Sequence, residues 1–221
     1  MISRLTTLQL IFAYTFGFAV FILVPIPLSD THTFEGLSIG DLVDAPLVLL
    51  PIGLLFLMAL DADLWRTPGL RIALLLALLL LVQGHAIHLA ANAIAHSLEE
   101  QDAAWQPAYF LDEHWGHYEL DGALLGLAVL FVSFAKPTES HFDTWLIVAI
   151  VGYGALLAAA AIEGQTVPLM LPASAVLTLA GWKRVTQRSG AYATFFSGSY
   201  AVCLLVLVVY GAKNGGWPQI L

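Results

Sequence analysis

The strongest constraint on this chain is a series of apolar runs long enough to cross a bilayer, separated by short polar connections. The runs fall near Leu8 to Leu28, Val43 to Leu60, Arg71 to His96, Asp112 to Ala135, Thr144 to Ile162, Val167 to Trp182 and Ala191 to Gly211. A hydrocarbon core of roughly 30 Å is crossed by about 20 helical residues, so the runs amount to about seven transmembrane helices. Backbone polar groups in lipid must be satisfied within the protein, which makes helices the natural form for runs of this length. With 59% hydrophobic residues, 11% charged residues and a mean hydropathy of +0.84, the 221-residue chain has too little polar surface for a soluble globule. The expectation is an all-α integral membrane protein, with residues 1–221 forming a single seven-helix transmembrane domain.

Prolines mark the places where these helices should bend or start late. Pro25, Pro27, Pro46, Pro51, Pro168 and Pro172 fall in the first, second and sixth runs, and each removes a backbone donor and crowds the preceding turn. The first run is read as a membrane helix and not as a cleavable signal, because no small-residue cleavage site follows it. The single Cys203 lies in an apolar run, so a disulfide within the chain is excluded.

Basic residues give the orientation. Arg4 precedes the first run, Arg66 and Arg71 flank the second connection, Lys136 lies in the fourth, and Lys183, Arg184 and Arg188 lie in the sixth. The first, third and fifth connections carry no Lys or Arg. Under the positive-inside rule the N-terminus is cytoplasmic and the C-terminus outside, in a plasma or inner membrane. The net charge of -8 is then polarised, with acids such as Asp30, Glu35, Glu99 and Glu100 on the exterior, or periplasmic, face.

Two adjacent runs carry stripes of metal-ligand side chains. The first is His85, His88 and Asn92, continuing to His96; the second is His114, His117 and Asp121, with Glu113 beside it. Offsets of three, four and seven place each set on one helix face. Counting 1.5 Å per residue, His85 lies roughly 21 Å from Arg71 and Asp121 roughly 22 Å from Lys136, so the stripes are level. His88 is level with His117 by the same count, and Asn92 with His114. Consecutive antiparallel helices are usually neighbours, so the stripes can face each other.

Taken singly, His96 or His114 reads as a polar side chain bridging two helices. Together the groups read as a site, because burying several titratable side chains is a costly way to join helices. His85, His88, His117 and Asp121 form the inner ligand set; Asn92, His96 and His114 form its rim. Glu113 is the candidate general base, with further ligand or ligand-orienting roles open. Asp41, Asp44 and Glu163, at the ends of other runs, are read first as solvated ends and second as groups completing the site. His32 and His141 stand in loops and receive no role. Trp105, Tyr109, Phe110, Trp115 and Tyr118 read as an interfacial aromatic belt.

Imidazoles with a carboxylate suit zinc, iron or copper better than magnesium or calcium. The expected cofactor is one or two transition-metal ions per chain, zinc first. In span number and histidine richness the chain resembles the seven-helix hydrolase superfamily of alkaline ceramidases and adiponectin receptors, which implies a metal-dependent lipid hydrolase. That pattern places a histidine pair on the last span, and Ala191 to Gly211 has none. The chain also resembles the histidine-box desaturases and hydroxylases, but His85, His88, His114 and His117 do not make three boxes. No family is assigned.

The functional expectation is a membrane metalloenzyme acting on a lipid-like substrate by hydrolysis, with membrane lipids as its surroundings and no nucleic-acid partner. Oxygen activation by iron needs an electron donor that an exterior site lacks, which leaves a copper oxidase-type subunit as the main alternative. A haem protein with His88 and His117 as axial ligands would leave histidines unused. Metal transport ranks lower, because Ile72 to Val82 and Gly122 to Ala135 carry no ionisable residue along a path to the other side. A homo-oligomer or larger membrane complex is open.

Overall fold

The computed structural model describes residues 5–29, 31–34, 37–99, 101–137, 143–186 and 190–219. Arg4, Asp30, Glu35, Glu100, Arg188 and His141 lie outside the described residues. Nine α-helices are present among those described: α1 Thr7–Leu23, α2 Ile39–Leu47, α3 Leu49–Asp61, α4 Pro68–His96, α5 Trp105–Tyr109, α6 His117–Phe134, α7 Thr144–Glu163, α8 Val167–Thr186 and α9 Ala191–Asn214. A short 3-10 turn, Ile26–Leu28, and a small antiparallel pair, His32–Phe34 with Leu37–Ser38, join α1 to α2.

Among the described residues six helical segments are long and apolar enough to cross a membrane: Thr7–Leu28, Ile39–Asp61, Pro68–His96, Trp105–Phe134, Thr144–Glu163 and Ala191–Asn214. The expected seventh, in α8, is a shorter apolar helix, Val167–Lys183. The second span begins earlier than Val43 and is divided at Val48 into α2 and α3, beside Pro46 and Pro51, as proline chemistry leads one to expect. The fourth begins at Trp105, not Asp112, because α5 and a π-helical segment, Phe110–Gly116, extend α6 backwards.

Local chemistry sets the helix starts. Thr6 and Gln9 form a capping box on α1, and Ser38 and Asp41 form another on α2. Each satisfies backbone donors that a helix N-terminus otherwise leaves unpaired. Thr67 caps α4 ahead of Pro68, and Asp143 caps α7.

The bundle is held by an aromatic core on α1, α6, α7 and α9. Tyr14, Phe18, Tyr153, Phe195 and Phe196 are buried with mutual ring contacts, and Tyr14 and Tyr153 share a 2.9 Å hydroxyl hydrogen bond. Large apolar side chains such as Leu76, Leu79, Val151 and Leu179 are exposed around the outside, as suits a surface whose solvent is lipid. At one end Asp61 closes the core, its Oδ2 accepting from Thr7 Oγ1 and Tyr192 OH at 2.8 Å each. The groups of the two stripes lie towards the opposite end.

Helices α4 and α6 meet there at two glycines. A Cβ on Gly84 would lie 2.7 Å from Leu120 N, and one on Gly116 would lie 3.0 Å from His88 N. Only glycine permits backbones this close, the same logic that places small residues at membrane helix crossings. The close approach lets short imidazole arms on both helices reach one another.

Candidate metal centre

His88 and His117 come together from α4 and α6, their ring centroids 4.5 Å apart. This is the pair that the count along the helices sets level. The third member is Asp112, whose Oδ1 lies 2.6 Å from His88 Nδ1. One ligand atom from each of His88, Asp112 and His117 falls within 4.8 Å of the other two, close to the spread of ligands on a single ion with bonds of about 2.0–2.2 Å. These three residues have the donor atoms and spacing to hold a metal ion.

Asp112 reaches this position through the π-helical segment. It precedes His117 by five residues, an offset that sets side chains about 140° apart on an ordinary α-helix of 3.6 residues per turn. The wider i→i+5 turn of Phe110–Gly116 narrows that angle and turns both towards His88. Such segments recur at functional sites.

His88 Nδ1 and Asp112 Oδ1 are buried atoms paired with each other at 2.6 Å, a His–carboxylate contact with no further hydrogen-bond partner among the described residues. The donor set, two imidazoles and a carboxylate, matches borderline transition metals. His117 is packed against α7, where a Cβ on Gly164 would lie 2.6 Å from its ring.

The remaining stripe residues divide into two groups. His85, Asn92 and Asp121 line the same cavity as His88 and His117, a space of about 420 Å³ between α1, α2, α4, α6 and α7. Asp121 is buried and accepts a hydrogen bond from the Thr166 hydroxyl. Asn92 Nδ2 donates to Asp41 Oδ1 at 3.0 Å, and Asp41 also accepts from the Ser38 backbone and hydroxyl. His114 and His96 are not brought to the cavity: His114 packs on Tyr109 and Phe110, and His96 is exposed at the end of α4. Glu113 is half-buried next to Asp112, within electrostatic reach of His88 and Glu163, and its Oε2 accepts from Gln219 Nε2 at 3.1 Å.

Asp41, Asp44 and Glu163, secondary candidates from the sequence, also line the cavity. Apolar lining comes from Phe21, Ile22, Leu156, Ala159 and Ala160. A volume of this size lined by apolar side chains and a few polar groups is typical of small-molecule sites. Comparison with protein-family models, with curated proteins and with solved structures finds no match for this chain.

Proposed function

We propose that the chain is a seven-helix membrane metalloenzyme in which His88, Asp112 and His117 hold a transition-metal ion, zinc first, and which hydrolyses an ester or amide bond of a lipid-like substrate. In this reading α8 is the seventh crossing, the N-terminus is cytoplasmic and the site faces the exterior. The observation that carries the reading is a His/carboxylate cluster, Asp112 buried and His88 and His117 half-buried, whose two histidines line a cavity that also has apolar lining. Apolar lining suits a hydrocarbon chain, while the polar groups orient the bond to be cut.

A bound metal ion would supply Lewis acidity at the scissile carbonyl. Glu113 takes the proton of the attacking water and returns it to the leaving alcohol or amine as the C–O or C–N bond breaks. The acyl carbon gains the hydroxyl and the leaving group gains the proton, so water is the only co-reactant. Glu163, on the cavity wall, is the competing base.

The test is release of fatty acid from a panel of ester- and amide-linked lipids by purified protein in detergent, with metal content measured on the same samples. Glu113→Gln should keep its metal and lose about 10²-fold or more in turnover. A fully metallated and fully active Glu113→Gln removes Glu113 and moves the role to Glu163, checked with Glu163→Gln. A metallated wild type inert on the whole panel contradicts hydrolysis. Orientation is tested separately: in intact cells an impermeant thiol reagent should label Gln101→Cys and spare Gly69→Cys, with little background because Cys203 is buried. The reverse pattern overturns the exterior site.

A further inference from the structure

A pair of unpartnered polar atoms faces the same cavity. His85 is 3% exposed, and its Nε2 has no hydrogen-bond partner among the described residues. Opposite it, 4.0 Å away, is Asp44 Oδ1 on α2, also buried and also without a partner. Phe21 lies edge-on to the His85 ring, centroids 5.1 Å apart, and fixes its plane. A gap of 4.0 Å is too long for a hydrogen bond. Two ligands on one ion with bonds near 2.1 Å lie about 3.4 Å apart at a tetrahedral angle and at most about 4.2 Å apart, so a side-chain shift of about half an ångström would bring this pair to ligand spacing.

These atoms are not spare ligands of the first centre. Among the described residues the mutually close ligand group contains His88, Asp112 and His117 and excludes both His85 and Asp44. His88 nevertheless lies within electrostatic reach of Asp44 as well as Asp112, so the two positions flank it.

Charge balance separates Asp44 from its neighbours. Asp41, Asp44, Asp121 and Glu163 line the cavity with no Lys or Arg among the lining residues. Asp41 is satisfied by Ser38 and Asn92, and Asp121 accepts from Thr166. Among the described residues Asp44 Oδ1 has no donor. An uncompensated carboxylate within a membrane-spanning segment is costly, and the imidazole nitrogen facing it leaves the pair asking for a cation.

We propose that Asp44 and His85 hold a second divalent transition-metal cation beside the first, making the centre binuclear. The proposal rests on the metal reading of His88, Asp112 and His117. Two adjacent cations can grip both the attacking and the leaving oxygen of a substrate, a use of paired ions found across hydrolytic enzymes.

The experiment is equilibrium dialysis of chelator-stripped, purified wild-type protein against zinc ion. About two equivalents should bind per chain. Asp44→Asn and His85→Ala should each reduce this to about one equivalent, leaving the ion that His88→Ala with His117→Ala removes. The wild-type count is decisive even if a variant fails to fold. One equivalent, lost only in the His88/His117 variant, overturns the second position and leaves the first standing. One equivalent, lost only in the Asp44 and His85 variants, overturns the binuclear centre and the first ligand set with it. No binding overturns both.

Discussion

Asp61 and Asp44 belong to the same membrane-type segment, Ile39–Asp61, and sit near its opposite ends. The Asp61 carboxylate receives two hydroxyl donors, from Thr7 on α1 and Tyr192 on α9, and so ties three helices together. The described groups around Asp44 give its Oδ1 no donor and set an unpartnered imidazole nitrogen before it. One carboxylate is tied into the packing and the other faces a cavity, and the difference is satisfaction of hydrogen-bonding capacity, not burial or charge. The two ends of the bundle follow the same division. Around Asp61 the helices close on packed aromatics and paired hydroxyls, whereas around His88 they leave a cavity edged by polar side chains, among them Asp44 with its Oδ1 undonated among the described residues.

Three variants can break that contrast. The largest effect is expected from His88→Ala combined with His117→Ala, which should strip the transition metal from purified protein while the bundle, held mainly by its aromatic core, still folds. Full metal content in the double variant would mean that these helices do not form the centre. Asp112→Ala should weaken metal affinity by about 10- to 100-fold, read by competition with a chelator of known affinity; unchanged affinity would remove the contribution of the π-helical segment. The smallest effect belongs to Asp61→Ala, which leaves the hydroxyls of Thr7 and Tyr192 without their acceptor. Thermal unfolding in detergent should show a loss of about 1–3 kcal/mol with metal content unchanged. Loss of metal in Asp61→Ala would blur the distinction between the two ends.

Much of this arrangement was legible in the sequence, for reasons that also define where legibility stopped. Apolar runs set against bilayer thickness located the long helices, and three- and four-residue offsets brought His85 and His88 to one face and His117 and Asp121 to another. The meeting of His88 with His117 followed from equal rise along antiparallel neighbours. Asp112 escaped because helical periodicity of 3.6 places it away from His117, and only the i→i+5 turn brings them together. An aspartate five residues before a stripe histidine was the available signal, but it carries weight only once a π-helical turn is known. Asp44 was a secondary candidate because periodicity relates residues within one helix and says nothing of which distant helix packs alongside. His114 shares a stripe with His117 yet turns to Tyr109 and Phe110, since the same π-helical segment that recruits Asp112 shifts the register before His117. The count of spans was blurred at α8, whose apolar stretch Val167–Lys183 is shorter than the others and contains Pro172.

The claim at the centre of this account is that two imidazoles and a carboxylate from α4 and the α6 extension converge on one metal ion. X-ray absorption at the edge of the copurified metal tests it most directly. The account predicts a shell of nitrogen and oxygen at about 2.0–2.2 Å with the outer-shell scattering of imidazole, and loss of that signature in the variant carrying His88→Ala and His117→Ala. A sulfur shell near 2.3 Å, or an imidazole signature that persists in the double variant, would contradict it.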